Sequence, residues 1–270
     1  MIVAGAAVQG TGHLAAGQGC QDAFKAVDLG DGAVLAVADG AGGRERSALG
    51  AHLAVDTACR VLREDIPDAD DPPGTWTRWT AQAGARVVAE YVRAVTAVLP
   101  DTPPVDVGAL AAVLAAAVVR PPWAAFVSVG DCFATLLTRE AADPDGDPAP
   151  RAERCHLVLP PPEPGGPGPV FLSSPQAALR VRTFAVWEPS LSGVVLATDG
   201  CTALTLDHPS VHGLPPEAGP VPSERFFGGL SATLRANGGD AEPLRALLSG
   251  PAAARTGDDL TVLCALVEGR

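Results

Sequence analysis

Apolar and polar positions divide the chain into elements of two periods. Residues 1–8, 22–27 and 33–38 read as strands, the last two joined by the turn Leu29-Gly30-Asp31-Gly32, with a loop at 10–19. From Ser47, a plausible N-cap, the period becomes helical, with Leu49, Leu53, Ala54, Thr57 and Val61 on one stripe. A Pro/Asp loop at 65–74 leads into a second long helix over 76–99, where Trp79, Ala83, Val87, Tyr91 and Val95 recur at i, i+4. The two helices should pack on one sheet face. Beyond a break at 101–104, residues 110–119, 124–129, 133–138, 170–172, 181–186 and 194–198 read as strands, with loops at 141–150 and 160–169. Residues 207–223 are rich in Pro and Gly and have no period. Short helices at 226–236 and 242–248 and a last strand at 260–267 complete the chain. Hairpin-linked strands with segregated helices predict an α+β fold built on antiparallel sheets.

Several of these strands meet an acid at one end. Val34-Leu35-Ala36-Val37-Ala38 runs into Asp39-Gly40, and Val194-Val195-Leu196-Ala197-Thr198 runs into Asp199-Gly200. Phe126-Val127-Ser128-Val129-Gly130 ends on Asp131, and Asp258-Asp259 opens the final strand. A lone strand-Asp-Gly is also a turn signal. Repeated, and joined by Asp22 at another strand edge, it places carboxylates at one rim of a β core. Like charges there repel strongly unless a cation compensates them. Hard oxygen donors without a His or Cys partner suit Mg²⁺ or Mn²⁺.

Composition narrows the alternatives. With 270 residues, 47% of them hydrophobic, the chain can bury the core of one large domain. A net charge of −12 has the wrong sign for nucleic acid, and Lys25 is the only lysine. No basic block marks an anionic membrane site, no basic region precedes the apolar N-terminal residues, and the longest apolar stretch, 107–119, is too short to span a bilayer of ~30 Å. The expectation is a cytoplasmic protein with neither nucleic acid nor membrane as partner. Six cysteines stand singly without a C-x-x-C pair, and the five histidines lack ligand spacing, which predicts reduced thiols and no zinc site.

The acidic motifs, in order, carry a resemblance. Gly12-His13-Leu14, Cys20-Gln21-Asp22-Ala23-Phe24, Val37-Ala38-Asp39-Gly40-Ala41-Gly42-Gly43, Val129-Gly130-Asp131, Thr198-Asp199-Gly200 and Gly257-Asp258-Asp259-Leu260-Thr261 span nearly the whole chain. Together they resemble the metal-dependent serine/threonine protein phosphatases of the PPM (type 2C) family, and more narrowly a bacterial branch whose first motif reads H…CQD. The resemblance implies a four-layer αββα sandwich of two antiparallel sheets, as a single domain over 1–270. It implies two Mn²⁺ or Mg²⁺ ions: Asp39 bridging both, Asp199 and Asp258 completing the first, Asp22 and the Gly40 carbonyl the second. Asp131 matches the acid that joins Asp199 at a weaker third ion in some members, and Asp259 takes the position of an Asn. The chemistry implied is attack on phosphorus by a water that the ion pair acidifies, so no side-chain nucleophile is required. The partner implied is a phosphoprotein, the substrate of a Ser/Thr kinase. Residues 207–223 would form a variable, substrate-selecting flap beside the cleft.

His13 is the main departure. Most members hold the substrate phosphate there with an Arg fork that an imidazole cannot reproduce. His13 either binds phosphate or protonates the leaving group, or it is a loop residue. Gln21 stands where Glu is common, removing a charge. Arg44 and Arg46 are phosphate contacts or solvated loop residues, and Cys132 and Cys201 are small inert side chains beside the acids. Asp143-Pro144-Asp145-Gly146-Asp147 lacks the Gly and Glu of a calcium loop and reads as an acidic turn. Two rivals remain open: a pseudophosphatase that binds a partner without turnover, and a hydrolase of small phosphorylated molecules.

Overall fold

Strands that bury both faces alternate between two cores, and that alternation sets the layers. The computed structural model describes residues 1–44, 46–99, 106–139, 153–162 and 168–268. The acidic turn at 143–147, the break at 101–104 and the loop at 141–150 lie outside them.

Twelve strands are described: β1 (Ile2–Val8), β2 (Asp22–Asp28), β3 (Ala33–Gly40), β4 (Ala112–Arg120), β5 (Trp123–Val129), β6 (Phe133–Arg139), β7 (Glu153–Leu159), β8 (Arg182–Trp187), β9 (Leu191–Ala197), β10 (Leu206–Asp207), β11 (Val221–Pro222) and β12 (Leu260–Leu266). Ten of them form two five-stranded antiparallel sheets, ordered β1-β12-β9-β6-β7 and β2-β3-β4-β5-β8. Seven α-helices are described: α1 (Thr11–Ala15), α2 (Ser47–Leu62), α3 (Pro73–Val98), α4 (Ala177–Arg180), α5 (Thr202–Thr205), α6 (Glu224–Ala236) and α7 (Glu242–Leu248).

In β3 and β4, Val34, Ala36, Ala38, Leu114, Ala116 and Val118 pack outward against α2 and α3. Their sequence neighbours Leu35, Val37, Ala115 and Ala117 face inward, onto Val194 and Leu196 of β9 and Leu263 and Ala265 of β12. The outer face of that second sheet is covered by Phe227, Leu230 and Leu234 of α6 and by Leu244 and Leu248 of α7. Period-2 alternation thus serves a helix layer on one side and the opposite sheet on the other. This is the expected α+β sandwich of two antiparallel sheets between helical layers.

Several local expectations change. In α2, Ala54, Thr57 and Val61 of the expected stripe are buried together with Ala51, Val55, Ala58 and Leu62, and Leu53 is half-buried, whereas Leu49 is 44% exposed. Ser47 is the first helical residue, and its hydroxyl donates to the Arg44 carbonyl rather than capping the helix. Residues 170–172 do not form a strand: Phe171 sits in a turn closed by Ser174, while Leu172 is buried against the helix-side core. The segment expected to be a loop, 10–19, contains α1, and β7 is an edge strand with no expectation behind it.

Candidate metal centre

Antiparallel pairing brings the acids together. Asp22 opens β2, Asp39 lies near the end of β3, and the register sets them directly opposite one another. Like charges in that relation destabilise a sheet. Asp131 follows β5, Asp199 follows β9 and Asp258 precedes β12, so both sheets deliver carboxylates to the same end of the sandwich. Asp39 is the middle member. It feels the charges of Asp22, Asp199, Asp258 and Asp131, and it is within hydrogen-bonding contact of Asp22 and Asp199.

The glycines of the two Asp-Gly pairs serve protein packing. A Cβ at Gly40 would stand 2.5 Å from the Ser47 carbonyl oxygen, and one at Gly200 would stand 2.1 Å from that of Asp259. Each acid is therefore followed by a residue that lets backbone from another element lie against the rim.

Burial and mutual repulsion act together on these carboxyls. Desolvation pushes Asp22, Asp39 and Asp199 above the ordinary carboxylate range, and the neighbouring acids push them further. Asp131 is also raised by burial but has a compensating cation, Arg182 of β8. The Arg182 guanidinium donates to Ser128 Oγ, the Gly130 carbonyl and the Pro160 carbonyl, bracing the turn that carries Asp131. Thr198 Oγ1 donates to Asp22 Oδ2 at 2.8 Å and accepts from the Thr261 N–H at 3.1 Å, tying one sheet's acid to the other sheet.

The donor set is all oxygen, uncompensated apart from Arg182, and it fits a hard divalent cation in kind. Beside Asp22, the buried Gln21 Oε1 has no hydrogen-bond partner, a further oxygen free to meet an ion or its water. Among the described residues, no three carboxylate, imidazole or thiolate groups converge on one point.

His13 lies on α1, against Asp259: His13 Nδ1 is 2.9 Å from Asp259 Oδ2. Asp259 itself is buried and accepts from the Gly10 N–H at 2.7 Å and the Gln21 N–H at 2.6 Å. Arg44 and Arg46 are exposed on the loop after β3. Cys132 and Cys201 are buried, and their thiols are pushed up by burial, as inert side chains would be. Sequence reasoning missed Arg182 and Thr198. Thr198 could have been found as the residue before Asp199, whereas nothing local marks Arg182, which reaches Gly130 only through the β5–β8 pairing.

Residues 207–223 contain two short 3₁₀ turns and the β10–β11 ladder, with residues 210–218 exposed. No described helix is long and apolar enough to cross a membrane.

The family model described as Protein phosphatase 2C matches residues 9–152. No curated protein matches the chain. Among solved structures, the chain is similar to a bacterial serine phosphatase at 11% identity and a TM-score of 0.58, over 100% of this chain and 99% of that one. It is also similar to the serine/threonine phosphatase Stp1 from Staphylococcus aureus, at 12% identity and a TM-score of 0.56, over 100% and 96%. PppA, a regulatory component of T6SS in Pseudomonas aeruginosa, matches at 17% identity and a TM-score of 0.51, over 98% and 97%. At such identities these likenesses concern the fold.

Proposed function

The chain belongs to the protein phosphatase 2C family, and we propose that it is a metal-dependent phosphatase of phosphoserine and phosphothreonine in proteins. The observation that carries this reading is the position of Asp39 between Asp22 and Asp199, at a rim where two sheets deliver five carboxylates. In this reading, Asp39, Asp199 and Asp258 would hold one divalent ion, and Asp39, Asp22 and the Gly40 carbonyl a second. Ions held there would supply positive charge to acidify a water and to neutralise the phosphoryl oxygens.

The chain's own residues do the rest. Asp22 is held in place by Thr198, so the second site is anchored to both sheets. Asp131, already facing Arg182, is left the weaker claim on a third ion. His13 meets the phosphate or the leaving oxygen in place of the family's Arg, as the H…CQD branch would have it. The exposed segment 207–223 selects among phosphoproteins, the products of a Ser/Thr kinase in the cytoplasm. Mn²⁺ and Mg²⁺ are the ions to which such oxygen donors are suited.

The test is turnover of phosphoserine, phosphothreonine and phosphotyrosine peptides and of a small aryl phosphate, with Mn²⁺ or Mg²⁺ and after chelation. Metal-dependent turnover of the phosphoserine and phosphothreonine peptides is expected. Absence of turnover with either ion would leave the partner-binding reading.

A further inference from the structure

Two positions depart from the pattern of the resembled family, and they touch. His13 stands where most members carry Arg, and Asp259 stands where the D-N-x-T motif carries Asn. The two are 246 residues apart and meet at 2.9 Å, Nδ1 to Oδ2.

The surroundings of Asp259 explain why the residue is an acid. Its side chain is 1% exposed, and what faces it donates. The Gly10 N–H reaches Oδ1, the Gln21 N–H reaches Oδ2, and the His13 nitrogen approaches the same Oδ2. The Cys20 thiol, pushed up to about 12 chiefly by burial, donates instead to the Asp22 carbonyl at 3.8 Å. An Asn has one accepting oxygen, and its NH₂ would face one of the two backbone donors, leaving buried polar hydrogens opposed. A carboxylate accepts both backbone donors.

The surroundings of His13 explain what the pair can do. Its helix, α1, is pinned by the Gly12 N–H to the Gly257 carbonyl at 2.8 Å and by Thr11 Oγ1 to the Ala254 carbonyl at 3.0 Å, one strand-end away from Asp259. Nδ1 is buried and, although 2.9 Å from Asp259 Oδ2, makes no aligned hydrogen bond; the side chain keeps 19% of its surface exposed, so the accessible part of the ring lies away from Asp259. A carboxylate fixed against Nδ1 favours a proton there and orients the ring, the device by which carboxylates orient ligating and catalytic imidazoles.

We propose that Asp259 is a positioning residue for His13, holding the imidazole with Nδ1–H toward its own carboxylate and Nε2 toward an oxygen of the substrate's phosphoryl group. One carboxylate–imidazole pair thus occupies two motif positions from opposite ends of the chain. The assignment of a phosphoryl group rests on the phosphatase reading, while the pairing does not.

The test has two arms, so that failure of the pairing and failure of the phosphatase reading can be told apart. Imidazole ¹⁵N NMR of the metal-free protein should show His13 protonated at Nδ1 in its neutral form, and Asp259→Asn should shift it toward a mixture of tautomers. A predominant Nε2–H form in the wild-type protein would overturn the pairing, whether or not the protein turns over a phosphoester and whether or not Asp259→Asn folds. The second arm is a double-mutant cycle with His13→Asn, which places an amide nitrogen near the Nδ1 position and nothing at Nε2. It should leave the melting temperature within a few degrees of wild type while lowering kcat/KM for a phosphopeptide about a hundredfold. Asp259→Asn should cost about tenfold, and the double variant should be no worse than His13→Asn alone. Fully additive losses would overturn the claim that Asp259 acts through His13.

Discussion

Asp22 and Asp259 are both buried carboxylates, 5% and 2% exposed, and they lie close enough to feel one another. Their surroundings are opposite. Asp22 stands across a ladder from Asp39, with the Thr198 hydroxyl as donor and no basic residue among the groups that act on it. Asp259 is enclosed by backbone N–H groups and an imidazole. Burial therefore does not tell a ligand from an anchor in this protein, but the count of donors does. One cluster is short of positive charge and gains it only from outside. The other is complete within the chain.

The sharpest way to break the comparison is at Asp39, the middle acid. Asp39→Asn should lower metal-dependent turnover about a thousandfold or more, the several kcal/mol that bound ions contribute to the transition state. The same substitution should raise the melting temperature of the metal-free protein, because one member of a repelling set is neutralised. Near-wild-type turnover at saturating Mn²⁺ would remove Asp39 from the centre.

The mirror experiment is Asp259→Ala. It leaves the Gly10 and Gln21 N–H groups buried without acceptors, at about 1–3 kcal/mol each, so the apo protein should melt several degrees lower. Denaturation of Asp39→Asn and Asp259→Ala side by side should thus give shifts of opposite sign. Shifts of the same sign would collapse the distinction.

The pH dependence of stability follows from the raised carboxyls. Asp22, Asp39 and Asp199 bind protons more tightly folded than unfolded, so their ionisation opposes folding as pH rises above the ordinary carboxylate range. The metal-free protein should gain stability from these groups as pH falls from neutral toward that range. Saturating Mn²⁺ should add about 3 kcal/mol at a hundredfold excess over Kd and reverse that slope, since the ions require the ionised form. A metal-free stability that falls monotonically with acid over this window would contradict the charge-deficient reading.

The smallest effect is expected at the exposed segment 207–223. Shortening it should alter kcat/KM among phosphopeptides by more than it alters turnover of an aryl phosphate, and should barely move the melting temperature. Equal losses on both substrates would tie the segment to the metal centre itself.

Much of this molecule is legible along the chain because the information is periodic or local. Continuous apolar strands, the Trp79–Tyr91 stripe of α3 and the Asp-Gly strand ends are patterns a few residues wide. The failures have two causes. Leu49 looks like part of the buried face of α2, yet it is exposed, while Ala51 and Ala58 are buried beside the expected Ala54, Thr57 and Val61. Val170-Phe171-Leu172 looks like a strand, yet Ser174 closes it into a turn. In the first case a tertiary neighbour outweighed intrinsic preference, and in the second a hydrogen bond three residues away did.

What the sequence by itself determined was the identity and order of the acids and the strands that bear them. Their charge and apolarity are properties of residues, whatever the fold. Only the tertiary structure decided which acids face each other and which face donors. Asp258 and Asp259 are neighbours in sequence and alike in chemistry. The antiparallel register and the approach of Gly10, Gln21 and His13 from the other end of the chain send one to the rim and the other into an internal anchor, and contacts over that separation leave no periodic trace.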